Sequence, residues 1–333
     1  DASNKADLLW RNAADGRHAV WLMNGVEAIA TGDLGVSASD AVTHTADLDG
    51  DGRQDLLVRD GTSGVTGARI VNGTSVVLSA PLLGDPAWKI THTGDFDGDG
   101  RSDLVWRNDV TGTTSVWLMN GAQFASGATL LVDAHWTVTH VADVDGNGRS
   151  DLIWRNSVTG EVAIWILNAS GLTYGTGAIV LAKPDWSVVL TGDFDGDGKH
   201  DLVWRNASTG EVAVWLMSGV ARTSGAIVAA TPEWTPTHAA DFTGEGRADL
   251  VWRNNASGAT HLWLMDGLAL VAGGSITNPG STVAAVDDFD DDGRADLVWN
   301  DPATGITAMW LMNGLSTRVS SPLLASPAWL VVP

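Results

Sequence analysis

The sequence predicts an all-β fold: a seven-bladed β-propeller of four-stranded antiparallel blades, with the ring closed by a C-terminal strand pairing with the N-terminal blade. Three observations carry this. A phrase of the type DFDGDGRSDLVWRN (95 to 108) returns along the whole chain. The residue ending its DLVW part falls at Trp10, Val58, Trp106, Trp154, Trp204, Trp252 and Trp299, a spacing of about 48 residues. Between the copies, short Val- and Thr-rich alternating segments with Gly-ended turns replace any helical period, which is the pattern of a repeated four-stranded sheet.

Within one unit, WTVTHVAD (136 to 143) alternates and forms strand A. The acidic loop follows, and DLIWRN is strand B. A turn of the SVTG type leads to strand C, VAIWILN. In most copies strand C ends in Asn-Gly or Asp-Gly, as at Asn120-Gly121 and Asp266-Gly267, which supplies the positive φ of a tight hairpin. A weaker run such as GATLLV completes strand D. The chain opens on loop and strand B (DLLWRN from Asp7) and finishes on a lone strand A, WLVVP at 329 to 333, so one blade is expected to be stitched from both ends. Residues 1 to 333 are expected to form one propeller domain; an open solenoid is the competing architecture, and neither end resembles its polar cap.

The acidic loops place Asp at positions 1, 3, 5 and 9, with glycines letting a tight turn aim several carboxylates at one point. A set of hard oxygen donors suits calcium, whereas zinc favours His or Cys. Five copies keep the set: Asp47, Asp49, Asp51 and Asp55; Asp95, Asp97, Asp99 and Asp103; Asp143, Asp145, Asn147 and Asp151; Asp193, Asp195, Asp197 and Asp201; Asp288, Asp290, Asp292 and Asp296. About five Ca2+ ions are therefore expected. Two copies are degraded: Thr243 and Glu245 replace the central acids of one, and the N-terminal copy keeps Asp1 and Asp7 with Ser3 and Asn4 between. An EF-hand is ruled out, because its twelfth position needs Glu and here holds Trp106.

These loops, each followed by DLVW, resemble the FG-GAP (VCBS-type) repeat known from the propellers of integrin α subunits and from some propeller lectins. The resemblance spans essentially the whole chain. It implies a β-propeller whose intact loops bind calcium structurally.

The formal net charge of -21 argues against nucleic acid, which requires a basic footprint. No apolar run reaches the roughly 20 residues of a membrane span, and the opening residues do not resemble a signal peptide, so a mature or trimmed chain without membrane insertion is expected. The absence of cysteine removes thiol chemistry. No constellation breaks the repeat in the way a catalytic centre would, so an enzyme is not expected.

If strands B and C pair so that Val105, Arg107, Ser115, Trp117 and Met119 share a face, an Arg beside an indole recurs around the ring. The pairs are Arg11 and Trp21, Arg107 and Trp117, Arg155 and Trp165, Arg205 and Trp215, and Arg253 and Trp263. Such pairs offer a sugar an aromatic platform and a hydroxyl partner; the bland reading makes them interblade filler. The recurring His of strand A (His44, His92, His140 and His238) suits a hydrogen-bonding core position better than a calcium ligand. The function expected is a calcium-stabilised, multivalent carbohydrate- or glycoconjugate-binding protein, secreted or at the cell surface. The alternative is an extracellular protein-binding adhesion or scaffold propeller with no sugar site.

Overall fold

In a computed structural model, which describes residues 3, 5–276, 278 and 280–332, each repeat folds as one four-stranded antiparallel sheet, and seven sheets follow one another around an axis. Blade 3 is representative: strand A is Trp88–Gly94, strand B Asp103–Asn108, strand C Thr113–Asn120 and strand D Gln123–Val132. Strands A of successive blades approach one another and line the axis, while strands D form the exposed perimeter. Blade 1 takes strand A from Trp329–Val332 and strands B to D from Leu8–Asn12, His18–Asn24 and Glu27–Asp33. The register runs from Leu9 opposite Val332 to Asn12 opposite Trp329. The ring therefore closes as the sequence predicts; Pro333, the last residue of that expected strand, lies outside the described residues.

The B to C connection determines which side chains meet. Four residues (109 to 112) join Asn108 to its partner Thr113, and the Asn108 side-chain oxygen accepts from the amides of Val110 and Thr111. This length places Trp117 opposite Leu104, Ser115 opposite Trp106, and Arg107 opposite Thr114. The expected face assignment is thus wrong by one residue. Trp106 and Trp117 share a face, and Arg107 lies on the other, because changing the loop by one residue turns one strand over relative to its partner.

Consequently the two indoles of a blade pack together. Their ring centroids lie 5.0 Å apart for Trp106 and Trp117, 4.8 Å for Trp154 and Trp165, and 4.6 Å for Trp204 and Trp215. The strand-B indoles are fully buried. Each blade sets this tryptophan face against the aliphatic face of the preceding blade: Leu152 and Trp154 pack on Val105, Val116 and Leu118. A buried Trp removes roughly 150–250 Å² from water, so these seams hold much of the core.

The Thr-His phrase of strand A is also explained. A bulge separates Ile90 from His92, and the intervening Thr91 hydroxyl donates to the carbonyl of Val105; Thr43 and Thr139 do the same to Leu57 and Ile153. The following imidazole sits half-buried near the axis. His140 and His238 place Nδ1 against the hydroxyls of Thr139 and Thr237 (3.1 and 3.0 Å), whereas the Nδ1 of His44 and of His92 is buried with no hydrogen-bond partner, so the hydrogen-bonding role expected of this position is met in part.

Candidate metal centre

Every acidic loop joins strand A to strand B, so all lie at one end of the ring. Glycines at positions 4 and 6 hold positive φ, as at Gly98 (81°) and Gly100 (82°). One loop departs from this, with Asp291 at φ 61° in the position-4 place.

The four predicted ligand positions divide into two kinds. Position 1 organises the turn: Asp95 accepts from the amides of Gly98 (2.7 Å) and Gly100 (2.9 Å). Position 9 ties the loop to strand C: buried Asp103 accepts from the amides of Phe96 (3.0 Å) and Met119 (2.8 Å). The degraded loop keeps both devices. Asp241 accepts from Gly244 and Gly246, and Asp249 from Phe242 and Met265. Acid at positions 1 and 9 is therefore required by the fold itself, and positions 3 and 5 distinguish the five intact loops.

In those five loops, carboxylate oxygens converge to within 4.8 Å of one another. The groups are Asp47, Asp49 and Asp55; Asp95, Asp97 and Asp99; Asp143, Asp145 and Asp151; Asp193, Asp195 and Asp197; and Asp288, Asp290 and Asp296. The remaining predicted positions are Asp51, Asp103, Asn147, Asp201 and Asp292. Of these, Asp51 and Asp292 pair with the basic residue two places on, Arg53 and Arg294. Asp1 and Asn4 of the N-terminal copy lie outside the described residues.

The residues fit a hard cation on three counts. The donors are all oxygen. The Oδ1 of Asp290 is buried without a hydrogen-bond partner. Burial pushes Asp55 up to about 6 and Asp103, Asp151, Asp201 and Asp296 up to about 7, with strand and loop amides opposing and neighbouring acids adding; Asp249 of the degraded loop is likewise pushed up to about 6, so this part of the shift goes with the shared position-9 tie. Burial, reinforced by adjacent aspartates, likewise raises Asp97 and Asp195. Negative charge is costly here unless a cation accompanies it.

The predicted arginine–tryptophan pairs are not formed. Arg107 donates to the carbonyls of Gly112 (2.8 Å) and Asp133 (2.9 Å) and to the Thr114 hydroxyl. Arg155 reaches the carbonyls of Pro184 and Trp186, Arg205 those of Pro232 and Trp234, and Arg253 that of Ser281. These arginines brace the connection into the next blade, on the side of the sheet away from Trp117, Trp165, Trp215 and Trp263. Arg11 is exposed on the corresponding face of blade 1, away from Trp21.

The strand-C indoles are half-buried at the seam edges. Trp215 opens onto a cleft of about 200 Å³ between blades 4 and 5, lined also by Leu181, Lys183, Trp186, Ala213 and Arg222. The Arg222 guanidinium, from strand D, lies 4.6 Å from the Trp215 ring centroid. In blades 3 and 4 the same strand-D position carries Phe124 and Tyr174, edge-on to Trp117 (4.7 Å) and Trp165 (5.1 Å). Arg222 escaped the sequence reading because strand D varies most among the repeats; its place, two residues after the strand-C Ser218-Gly219 turn begins to pair, was the available signal.

Comparison with known proteins follows the same lines. The FG-GAP-like repeat model matches residues 95–154, 143–204 and 193–252 in succession. No curated protein matches the chain. Among solved structures, prolyl oligopeptidase B from Galerina marginata is 9% identical, with a TM-score of 0.60, over 99% of this chain and 52% of its own. A post-proline cleaving enzyme from Rickettsia typhi is 11% identical, with a TM-score of 0.61, over 97% and 52%. A dihydro-heme d1 dehydrogenase in complex with DHE is 14% identical, with a TM-score of 0.53, over 97% and 74%. The chain spans about half the length of the two peptidases, and at these identities the likeness is one of fold. Matched repeats, acidic A to B loops and a closed ring of seven blades together make this chain an FG-GAP-repeat β-propeller.

Proposed function

We propose that the protein is a non-catalytic, calcium-stabilised propeller of the extracellular space or cell surface that binds carbohydrate at clefts between its blades. The observation that carries the sugar reading is the half-buried strand-C indole, which in blade 5 meets Trp186, Arg222 and Lys183 around an open cleft. Indole faces suit the C–H faces of a sugar ring, and the two cations supply donors for hydroxyls. Related clefts around the ring would add avidity, by about 10²- to 10⁴-fold where geometry permits simultaneous engagement.

The intact loops would hold calcium through Asp49, Asp97, Asp145, Asp195 and Asp290 with the position-1 acids, joined by Asp99 and Asp197 at position 5 in two loops and by Asp55, Asp151 and Asp296 at position 9 in the other three. Bound calcium supplies the positive charge that lets these carboxylates ionise inside the fold. A glycan array in millimolar calcium tests the sugar reading. Saturable binding that Trp215→Ala and Arg222→Ala remove, and that Arg205→Ala leaves intact, supports it. A blank with folded protein overturns it.

A second reading has its own observation. Strands D expose Ile29, Val77, Phe124, Ile179, Ile227 and Val271 around the perimeter, which favours an adhesion module docking a protein partner.

A further inference from the structure

The edge of each blade where strands A, C and D come together is filled differently around the ring. In blades 3 and 4 a strand-D aromatic stands edge-on to the strand-C indole, Phe124 on Trp117 and Tyr174 on Trp165. In blade 6 the filling comes from strand C itself: His261, opposite Trp252, stacks on Trp234 with ring centroids 4.2 Å apart. The same strand-C place in blade 5 is Ala213, opposite Trp204, and its small side chain leaves the cleft of about 200 Å³ open beside Trp186 and Trp215.

Blade 2 keeps a cleft of nearly equal size, about 210 Å³, with different chemistry. Asp40 takes the place of Trp186, Gly67 that of Ala213 and Arg69 that of Trp215. Charge is balanced there, since Arg69 pairs with Asp40. In the blade 5 cleft it is not. Lys183 and Arg222 line that cleft, no carboxylate does, and among the described residues neither cation enters an ion pair. Both cations are particular to this blade. Three residues before the start of strand A, where Lys183 stands, five other blades hold Ser37, Asp85, Asp133, Thr231 and Ser326. The strand-D place of Arg222 holds Ala28, Val76, Leu270 and Thr317 in the blades without a strand-D aromatic there.

Two like charges facing one cleft are unfavourable until an anion joins them. On a chain of net charge -21, pairing with a carboxylate of the protein would be the ordinary arrangement. Arg222 is also held in place, with its guanidinium 4.6 Å from the centroid of the Trp215 ring, so less side-chain freedom is lost when a ligand binds.

We propose, building on the sugar reading of this cleft, that blade 5 selects an anionic sugar, whose ring packs against the indoles while its carboxylate or sulfate is bound by Lys183 and Arg222. Two oxygens of either anion can accept from the guanidinium fork, and the lysine ammonium adds a second charge-assisted donor. The net negative charge of the molecule repels such a glycan, so the preference belongs to these two side chains.

The test is a glycan array in millimolar calcium on which each uronate-, sialate- or sulfate-bearing glycan stands beside its carboxyl-reduced or desulfated counterpart. By half-saturating protein concentration, the charged member is expected to bind at least about tenfold more tightly than the neutral one. The double variant Lys183→Gln and Arg222→Gln, altered at two exposed positions, should bring the charged member down to the level of its counterpart at unchanged melting temperature. Whether the carboxylate or the sulfate glycans show the preference identifies the anion. Equal binding of the two members, lost on Trp215→Ala, would overturn the anion selectivity and leave the sugar reading standing. A preference that survives the double variant would overturn it as well, placing the acidic glycan on calcium at the loops. A blank array with folded protein would remove both readings.

Discussion

The seam between blades 3 and 4 and the seam between blades 1 and 2 occupy equivalent places in the ring and are built differently. In the first, Trp136, Trp154 and Trp165 meet the aliphatic face of blade 3, and Phe96 seals the loop end. In the second, the same three positions hold Asp40, Val58 and Arg69. Arg69 pairs with Asp40 at 3.4 Å and donates to the Gly35 carbonyl at 2.9 Å, and the interior is a small cluster of Leu34, Val36, Leu56, Val58 and Val71. One ring thus tolerates two solutions, a dry stack of indoles and an ion pair over a small aliphatic cluster. The repeat does not require every seam to be equally tight, because the closing strand holds blade 1 by backbone hydrogen bonds.

Calcium removal is the largest intervention. Each site held at 100 times its dissociation constant contributes about 2.7 kcal/mol, so chelation of several sites should lower the melting temperature sharply. Hydrogen exchange should rise first in loops 95–103 and 143–151, beside the tight seam. An unchanged melting temperature in EDTA would remove calcium from the account of stability.

Next in size is truncation of the indole itself. Trp154→Ala should cost about 3–5 kcal/mol in urea unfolding, the loss for a large buried aromatic. Val58→Ala, in the small aliphatic cluster of the other seam, should cost much less, and equal losses would break the comparison between the seams.

A smaller effect comes from the axis, which both seams share. Burial holds His92 below its ordinary 6.5, with the Thr139 backbone opposing and the nearby His140 and His44 adding to the shift. The unfolded chain then takes up protons before the folded one as pH falls below 6.5, so stability is lost on acidification through that range. At saturating calcium, His92→Gln should lose less melting temperature between pH 7.5 and 5.5 than the unaltered protein. An identical loss would assign the acid sensitivity elsewhere.

The smallest effect is expected at the ion pair of the loose seam. Asp40→Asn should cost under about 1 kcal/mol, and less at high salt, since a partly exposed pair is screened. A loss as large as that of Trp154→Ala would mean that Arg69 and Asp40 replace the indoles energetically as well as spatially.

The sequence alone determined the number of blades, the order of strands, the closing strand and the place of the acidic loops. Those features depend on periodicity, turn residues and local chemistry, which a single repeat already displays. Only the tertiary structure decided what meets across a sheet and across a seam. One residue in the B to C loop sends Arg107 and Trp117 to opposite faces, so the sugar-type pairing suggested by their adjacency dissolves. The amides of Phe96 and Met119 give Asp103 a structural reason to be acidic, leaving positions 3 and 5 as the more selective cation signal. Likewise, the missing tryptophans at Val58 and Arg69 are visible in the sequence, but the ion pair of Arg69 with Asp40 that stands in their place is not. That pair joins side chains 29 residues apart on strands A and C of one blade, which do not pair with each other, so only the folded sheet brings them together.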